Sequence, residues 1–195
     1  MIIVGGESDS DLNDIWVFSF IEKQWVKPQI IGGNLFRPKW FLSASTIKKD
    51  KVITFGGCHS EYVHLNDLNI FEFQDFLENP NKFTNRCSII CTRVDTDQNV
   101  PDSWWGHAAV VYESNLYILG GWNDHDLNDI HRFNIENQKW KTVSLVESKT
   151  PKSRRRHSCV MIGRSIVMFG GFDGEFFNDL HVLPLKSIYQ DHFQI

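Results

Sequence analysis

The sequence lacks the features of several common protein classes. No apolar run approaches the ~20 residues needed to cross a bilayer, and the N-terminus has neither the basic region nor the apolar stretch of a signal peptide. Basic residues are not in excess, because 20 Lys and Arg face 24 Asp and Glu, unlike a nucleic-acid binder. Cysteines number four and have no framework spacing, which favours reduced thiols: Cys58, Cys87, Cys91 and Cys159. We therefore expect a cytoplasmic protein that binds neither nucleic acid nor membrane.

The composition is instead rich in apolar and aromatic residues. Hydrophobic residues make up 42% of the chain, and Phe, Trp and Tyr together make up 13%. Aromatic and β-branched residues favour strands, and the apolar residues occur in short runs separated by polar loops. The sequence therefore predicts an all-β fold.

A repeated motif organises the chain. Four glycine doublets each follow a short apolar run, at Gly5-Gly6, Gly56-Gly57, Gly120-Gly121 and Gly170-Gly171. Each doublet precedes a polar loop and a triplet that ends in aspartate, at Asp14, Asp67, Asp129 and Asp179. The first glycines are 51, 64 and 50 residues apart, with the longest interval after the second doublet. A fixed period of this length indicates a repeat architecture.

The order of these motifs resembles the Kelch repeat, which is about 50 residues long. The fourth copy carries the pattern most completely, with Arg154-x-x-His157, an apolar run into Gly170-Gly171, and Asn178-Asp179-Leu180. Tryptophan follows the aspartate by eleven residues in two copies, as Trp25 and Trp140. The resemblance covers nearly the whole chain and implies a Kelch-type β-propeller of four-stranded antiparallel blades.

The repeated residues have physical reasons to recur. Glycine within a strand marks a bulge or a close backbone approach that a side chain would block. We expect the Asn-Asp pairs to hydrogen-bond nearby backbone groups and form turns. Trp25 and Trp140 are expected to bury apolar area between stacked blades, because a lone blade leaves its faces uncovered.

The strand count predicts an incomplete arc of about three to four blades. The resemblance implies that the doublet ends the second strand of each blade, so the first blade lacks its innermost strand. We expect the fourth strand of blade two at 87–91, while blade four has no matching Trp for an outer strand. Further blades, from a longer chain or another copy, would complete the propeller. The boundaries are 1–34 for a partial blade one, 35–101 for blade two with an insertion at 74–85, 102–150 for blade three and 151–195 for a partial blade four.

Motifs of Kelch-fold enzymes are incomplete in this sequence. The plant specifier proteins resemble this fold and bind iron through Glu-x-x-x-Asp-x-x-x-His, but Leu183 replaces the histidine after Glu175 and Asp179. Galactose-oxidase-like enzymes use Tyr and His ligands for copper, and this chain has only four tyrosines. The Asp124-His125-Asp126 loop has metal-binding side chains, although a solvated turn explains it better. We expect no metal, no cofactor and no catalytic residue.

Family resemblance places the partner contacts of Kelch propellers after the doublet and before the first strand of a blade. The resemblance implies an arginine three residues before the histidine that precedes each doublet. Arg154 occupies that place in the fourth copy, while Trp40 and Trp104 occupy it in the second and third copies. An aromatic surface with one basic region suits a protein or peptide that carries an acidic group. The alternative is that the tryptophans are core and that 154–156 is a solvated charge run. The candidate contacts are Trp40, Phe41, Trp104, Trp105, Trp122, Arg154, Arg155 and Phe172.

Two functions follow from the sequence. The first is a non-catalytic protein-interaction module, within a larger Kelch scaffold or a ubiquitin-ligase substrate receptor. The second is a metal-dependent lyase or oxidase of the same fold. Because both classes of protein have this fold, the fold alone does not show which of the two functions this chain has.

Overall fold

The computed structural model describes residues 1–32, 36–59, 63–74, 76, 87–96, 99–102, 104–143, 145 and 150–188. They lie in two compact units, Met1–Asp95 and Thr96–Ile195. Each unit contains two small sheets of the blade type, so the predicted Kelch-type β fold is confirmed. A search of the described residues finds no helix with the length and apolarity to cross a membrane.

Blade one is a three-stranded antiparallel sheet in the first unit. Its strands are β1 (Ile2–Glu7), β2 (Asp11–Ser19) and β3 (Gln24–Val26), paired in that order. They match the second, third and fourth strands expected from the repeat. Alternate residues of β2 turn inward, so that Ile15 and Val17 are buried.

Blade two has five strands in its main sheet, which the sequence did not predict. Its strands are β4 (Gln29–Ile31), β5 (Ser43–Lys48), β6 (Lys51–Phe55), β9 (Leu68–Glu72) and β10 (Ser88–Arg93), while β7 (Cys58–His59) and β8 (Val63–His64) form a separate pair. The displaced fourth strand is confirmed as β10. β4 lies before the expected boundary at residue 34, and it pairs in parallel with β10, so it extends the sheet of blade two. Most of the insertion at 74–85 lies outside the described residues.

Blades three and four form the second unit. Blade three contains β11 (Ala108–Tyr112), β12 (Asn115–Trp122), β13 (Asp126–Asn134) and β14 (Lys139–Val143), paired in sequence order. Blade four contains β15 (Ser158–Ile162), β16 (Ser165–Phe169) and β17 (Leu180–Pro184), followed by the short helix α1 (Leu185–Ile188). Residues 189–195, the place for an outer strand of blade four, lie outside the described part of the chain.

The glycine doublets do not all end a strand, which corrects the expectation. β1 and β12 continue through their doublets, and the pairing register shifts between Val4 and Gly6 and between Leu119 and Gly121. Such a shift marks a β-bulge, which bends the strand. In blades two and four the strand does end before the doublet, at Phe55 and Phe169.

The two blades of each unit share an apolar core. In the first unit, Ile15 and Val17 of blade one belong to the same buried cluster as Phe71 and Ile89 of blade two. In the second unit, the cluster joins blades three and four through the side chains of Val110, Leu119, Ile130, Ile166, Met168 and Leu183. Burial between blades is the main favourable term for this architecture.

The two repeat tryptophans differ in environment. Trp140 is buried against Phe133, with ring centroids 5.0 Å apart. Trp25 lies 5.1 Å from Phe18 in the corresponding position of blade one, but it is 41% exposed. The expected burial of Trp25 between blades is therefore not found in the described residues.

A buried lysine joins blade one to blade two. The backbone of Lys39 bonds to blade one, where its N–H donates to the Leu12 carbonyl at 3.0 Å and its carbonyl accepts from Gly6 at 2.9 Å. Its ammonium group lies 2.6 and 2.5 Å from the two carboxylate oxygens of Asp67 in blade two. Burial lowers the pKa of Lys39, and the charge of Asp67 opposes that shift.

Arg154 makes the same connection between blades three and four. Its N–H donates to the Leu127 carbonyl at 2.9 Å, and its carbonyl accepts from Gly121 at 2.8 Å. Its guanidinium donates to both carboxylate oxygens of Asp179, at 2.6 and 2.9 Å. The repeat aspartates Asp67 and Asp179 thus each accept hydrogen bonds from a cationic side chain that precedes the first strand of the same blade.

We expect Lys39→Met to destabilise the protein by about 3–5 kcal/mol, because it leaves the buried Asp67 carboxylate without its counter-ion. The matched control is Lys51→Met, which removes a pair with Glu72 that is partly open to solvent and costs about 1 kcal/mol or less. Urea unfolding followed by circular dichroism measures both. Equal losses for the two variants would contradict the role assigned to Lys39.

Candidate functional site

A four-residue segment precedes the first strand of blades two, three and four, and we call it the entry segment. The three entry segments are 39–42, 104–107 and 154–157. Their fourth residues pack against the second glycine of each doublet: a Cβ added to the glycine would lie 2.9–3.1 Å from the Cβ atom of Leu42, His107 or His157. The three segments are therefore structurally equivalent, residue by residue.

This equivalence corrects the sequence alignment of blade two. Counting back from the doublet puts Ser43 in the histidine position and Trp40 in the arginine position. The pairing of β5 with β6 shifts by one residue between Thr46 and Lys48, so Leu42 takes the histidine position. The counterpart of Arg154 is therefore Lys39, and Trp40 is the counterpart of Arg155.

The second residue of each entry segment pairs with the residue that follows the doublet. Trp40 bridges Cys58, Trp105 bridges Trp122, and Arg155 bridges Phe172. Each bridge brings one residue from each of the two expected contact positions side by side. The structure thus combines the two kinds of position into one site per blade.

In the second unit these residues form an aromatic and basic cluster. The guanidinium carbon of Arg155 lies 4.4 Å from the ring centroid of Trp122, 4.9 Å from Phe172 and 5.9 Å from Trp105. Cations at these distances are attracted to aromatic faces. One nitrogen of Arg155 also lies 2.6 and 2.8 Å from the carboxylate oxygens of Asp126, which holds the guanidinium in place.

Arg156 occupies an unusual backbone conformation beside this cluster. Its φ is +57°, and the third residues of the other entry segments, Phe41 and Gly106, have φ of +53° and +66°. A left-handed conformation costs about 1–2 kcal/mol for a residue other than glycine. The Arg156 side chain is exposed and lies 5.4 Å from the centroid of Trp105. Strain of this kind is a reason to look for function.

The corresponding surface of the first unit is aromatic. Trp40 and Phe41 have ring centroids 4.7 Å apart, and Phe41 is exposed. The neighbouring Cys58 is buried. This surface therefore presents an aromatic pair where the second unit presents aromatic and arginine side chains together.

The structure sorts the predicted contact residues into two groups. Arg154, which is 1% exposed, and Trp104, which is 3% exposed, lie in the interior. Arg154 is bound to Asp179, and Trp104 packs edge-on against His131 at 4.7 Å, so both side chains are enclosed within the second unit. The residues that reach the surface, fully or in part, are Trp40, Phe41, Trp105, Trp122, Arg155 and Phe172.

Sequence reasoning missed three residues of the site. Arg156 belongs to the run 154–156, in which the repeat motif predicts only Arg154 and Arg155 as partner contacts. Asp126 lies in the loop with metal-binding side chains, and it binds Arg155 instead. Phe176 is 90% exposed and lies 5.1 Å from Phe172, and its exposure has no signal in the sequence.

The residues with the chemistry of metal ligands have other partners. Among the described residues, no group of three or more His, Cys, Asp or Glu side chains is arranged to hold a metal ion. Asp179 accepts from Arg154 and lies 2.8 Å from a His181 ring nitrogen, and the Arg154 hydrogen bond holds the pKa of that carboxyl well below its usual range. Asp179 is thus part of the connection between blades.

His157 is buried between blades three and four. Its ring lies close to the doublet of blade three, since a Cβ added to Gly120 would be 3.0 Å from it. Burial lowers the pKa of His157 to about 4, and the positive charge of Arg154 acts in the same direction. The folded protein therefore holds this imidazole neutral.

We expect acid to destabilise the second unit through His157. The unfolded histidine takes up a proton near pH 6.5 and the folded one near pH 4, so stability falls across that window by roughly 3 kcal/mol. Burial also lowers the pKa of His131, which adds to the loss. Thermal unfolding between pH 7.5 and 4.5 measures the effect. His157→Leu, which introduces the residue type that Leu42 provides in blade two, should flatten the dependence; an unchanged pH profile would refute the assignment.

The chain is similar to known proteins with Kelch repeats. A family model described as the KLHDC2/KLHL20/DRC7 Kelch-repeats domain matches residues 1–171. Kelch domain-containing protein 10 of Homo sapiens is 26% identical over an alignment of 209 positions, gaps included, which covers 96% of this chain and 42% of that protein. Kelch domain-containing protein 3 of Bos taurus is 30% identical over 135 residues, which cover 58% of this chain and 35% of that protein.

A relative with a different kind of name is also similar over most of the chain. Acyl-CoA-binding domain-containing protein 4 of Arabidopsis thaliana is 26% identical over 192 residues, or 93% of this chain and 26% of that protein. The chain thus spans less than half the length of each of these curated relatives. The family model covers most of the chain, and the repeat residues hold the blades together. This chain belongs to the Kelch-repeat family.

Proposed function

We propose that the chain is a non-catalytic protein-interaction module that binds its partner through the entry segments and the residues after the doublets. The observation that carries the proposal is the placement of Arg155 among Trp105, Trp122 and Phe172, with Asp126 fixing its guanidinium. Trp and Arg are among the residues that most often dominate binding energy at protein interfaces. Membership of the Kelch-repeat family supports an interaction role.

The chemistry of this surface favours an apolar peptide segment with an acidic group. Aromatic rings offer apolar area with little loss of conformational entropy, and arginine binds carboxylates with directed hydrogen bonds. The exposed Arg156 side chain, which lies beside Trp105, offers an acidic partner a second guanidinium. The aromatic pair Trp40 and Phe41 supplies a second, uncharged contact surface on the first unit.

Two cysteines and Asp126 are poorly suited to catalysis. Burial raises the pKa of the Cys91 thiol to about 11 and that of Cys159 to about 12, so neither thiol is a ready nucleophile at neutral pH. Asp126 beside the cluster serves as a counter-ion to Arg155. These features support binding as the activity of the site.

The setting that we propose is a larger cytoplasmic protein. The chain spans 42% of the human Kelch domain-containing protein 10, so a whole protein of that length has room for further blades or for a domain of another kind. A scaffold and a ubiquitin-ligase substrate receptor are the two roles that we propose for such a protein.

We expect the double variant Trp122→Ala and Arg155→Ala to bind peptide ligands about 30-fold more weakly, since residues of this type contribute about 2 kcal/mol or more at interfaces. The probes are peptides selected from a random phage-displayed library against the unmodified protein, with affinities measured by fluorescence anisotropy. The matched control is Trp25→Ala with Arg164→Ala, which removes an exposed tryptophan and an exposed arginine elsewhere.

A second variant separates binding from folding. Arg156→Gly relieves a left-handed backbone position that Gly106 already occupies in blade three, so we expect unchanged or higher thermal stability together with weaker binding of acidic peptides. If the selected peptides bind both sets of variants as tightly as the unmodified protein, the contact surface lies elsewhere and the proposal is wrong.

A further inference from the structure

A cavity of about 500 Å³ lies between blades three and four of the second unit. Blade three contributes Tyr112 and Glu113, at the turn that joins β11 to β12. Blade four contributes Arg164 and Ser165, at the turn that joins β15 to β16, together with residues 184–186 at the end of β17 and the start of α1. Small-molecule sites in proteins are cavities of about 300–1,000 Å³, so this one has the volume for a small ligand.

The cavity lies at the end of the strands opposite the entry segments. The entry segments 104–107 and 154–157 lead into β11 and β15, whereas the turns that line the cavity follow these two strands. Each strand has five residues, which span roughly 16 Å. The cavity is therefore separate from the surface that we propose for peptide binding.

Two cationic side chains, Arg164 and Lys186, line the cavity and are exposed to solvent. Arg164 Nε donates to the Tyr112 hydroxyl at 3.2 Å, which orients the guanidinium at the cavity. Within the described part of the chain, the two Nη groups of Arg164 and the Lys186 ammonium group have no hydrogen-bond acceptor and no ion pair, including with Glu113. Glu113 alone does not neutralise both cations, so the lining carries a net positive charge.

The backbone around these cations is the same in three blades. In each, the residue after the third strand donates its N–H to the carbonyl of the turn residue before the second strand. The three hydrogen bonds are 2.7–2.9 Å long, and they join Phe73 to Asp50, Ile135 to Ser114 and Leu185 to Arg164. The side chains at these positions are therefore directly comparable from blade to blade.

Blade four differs from the other blades in the charge at these positions. In blade three, the equivalents of Arg164 and Lys186 are Ser114 and Glu136, and the serine hydroxyl donates to the glutamate at 2.5 Å. Blade two has an acid, Asp50, in the turn position. Blade four thus has two like charges where its neighbour has a hydrogen-bonded pair. Like charges disfavour one another, and a cleft lined by charges of one sign concentrates counter-ions.

We propose that this cavity binds a small phosphate ester with an aromatic or apolar body. Arginine and lysine both bind phosphate, and a phosphate monoester carries a charge of about −2 at neutral pH, which matches Arg164 and Lys186. Tyr112, Pro184 and Leu185 provide the apolar wall for the rest of the ligand. A free mononucleotide and a phosphorylated tyrosine side chain share this chemistry, and the experiment has a probe for each. The proposal does not rest on the peptide-binding function.

The test uses isothermal titration calorimetry at low ionic strength, with adenosine monophosphate and phenyl phosphate as the two probes. Inorganic phosphate and phenol represent the separate halves of the ligand. The double variant Arg164→Ser with Lys186→Glu introduces the serine and glutamate that blade three has at these positions. The matched control is Lys141→Ser with Lys139→Glu, which makes the same change in net charge at exposed positions of β14.

We expect saturable binding of at least one ester to the unmodified protein and to the control. The double variant should bind that ester at least tenfold more weakly, a change of about 1.4 kcal/mol. The ester that binds more tightly identifies the source, and phenol and inorganic phosphate should both bind more weakly than it does. The double variant should keep its thermal stability and its affinity for the selected peptides, since the entry segments are unchanged. Lys186→Met, which removes one charge and adds no carboxylate, should also weaken ester binding.

Three results would overturn the proposal. The first is that neither ester binds saturably, and the second is that the double variant or Lys186→Met binds the ester as tightly as the unmodified protein. The third is an equal loss of affinity in the control, which would show that the attraction comes from net charge and not from the cavity. Failure of peptide binding alone would leave these measurements unchanged, so the two proposals are tested separately.

Discussion

The close approach of an entering carbonyl to a glycine doublet is the constraint on which this architecture depends. The Arg154 carbonyl oxygen lies 2.7 Å from the position that a Cβ on Gly120 of blade three would take. The Lys39 carbonyl oxygen lies at the same distance from the position of a Cβ on Gly5 of blade one. Any side chain at the first glycine would push the two blades apart. The charged side chain of the same residue donates hydrogen bonds to the repeat aspartate of its own blade. One residue thus orients two sheets and leaves the next two residues at the surface.

The run of three arginines shows how burial divides chemically similar residues among different roles. Arg154 is enclosed and bound to Asp179, Arg155 is partly buried among aromatic rings and bound to Asp126, and Arg156 is exposed. All three residues carry the same planar guanidinium with five N–H donors, so their roles differ through the groups that each guanidinium is able to contact. The buried member stabilises the fold, and the outer members supply the surface that we propose for binding.

Much of the fold was predictable because its signals are local. Glycine doublets, aspartate triplets and apolar runs recur at nearly constant spacing, and the strand expected at each doublet runs up to it or through it. The alignment of blade two failed for a physical reason. β5 contains one extra residue, which forms a bulge. Counting back from the doublet therefore misplaces the residues before β5 by one position, although the apolar pattern of the strand is still recognisable. The parallel strand β4 was missed because three residues carry no periodicity.

The sequence by itself determined the family, the repeat and the positions from which a contact surface would be built, because each depends on residue types at fixed spacing. Only the tertiary structure decided which of those residues are accessible. Trp104 and Arg154 lie inside and Trp105, Arg155 and Arg156 lie at or near the surface, although they are neighbours in the chain. Which side of a backbone faces the next blade is set by how the sheets pack, and a left-handed residue beside the strand turns its side chain outward. Neither property has a signature in composition or spacing.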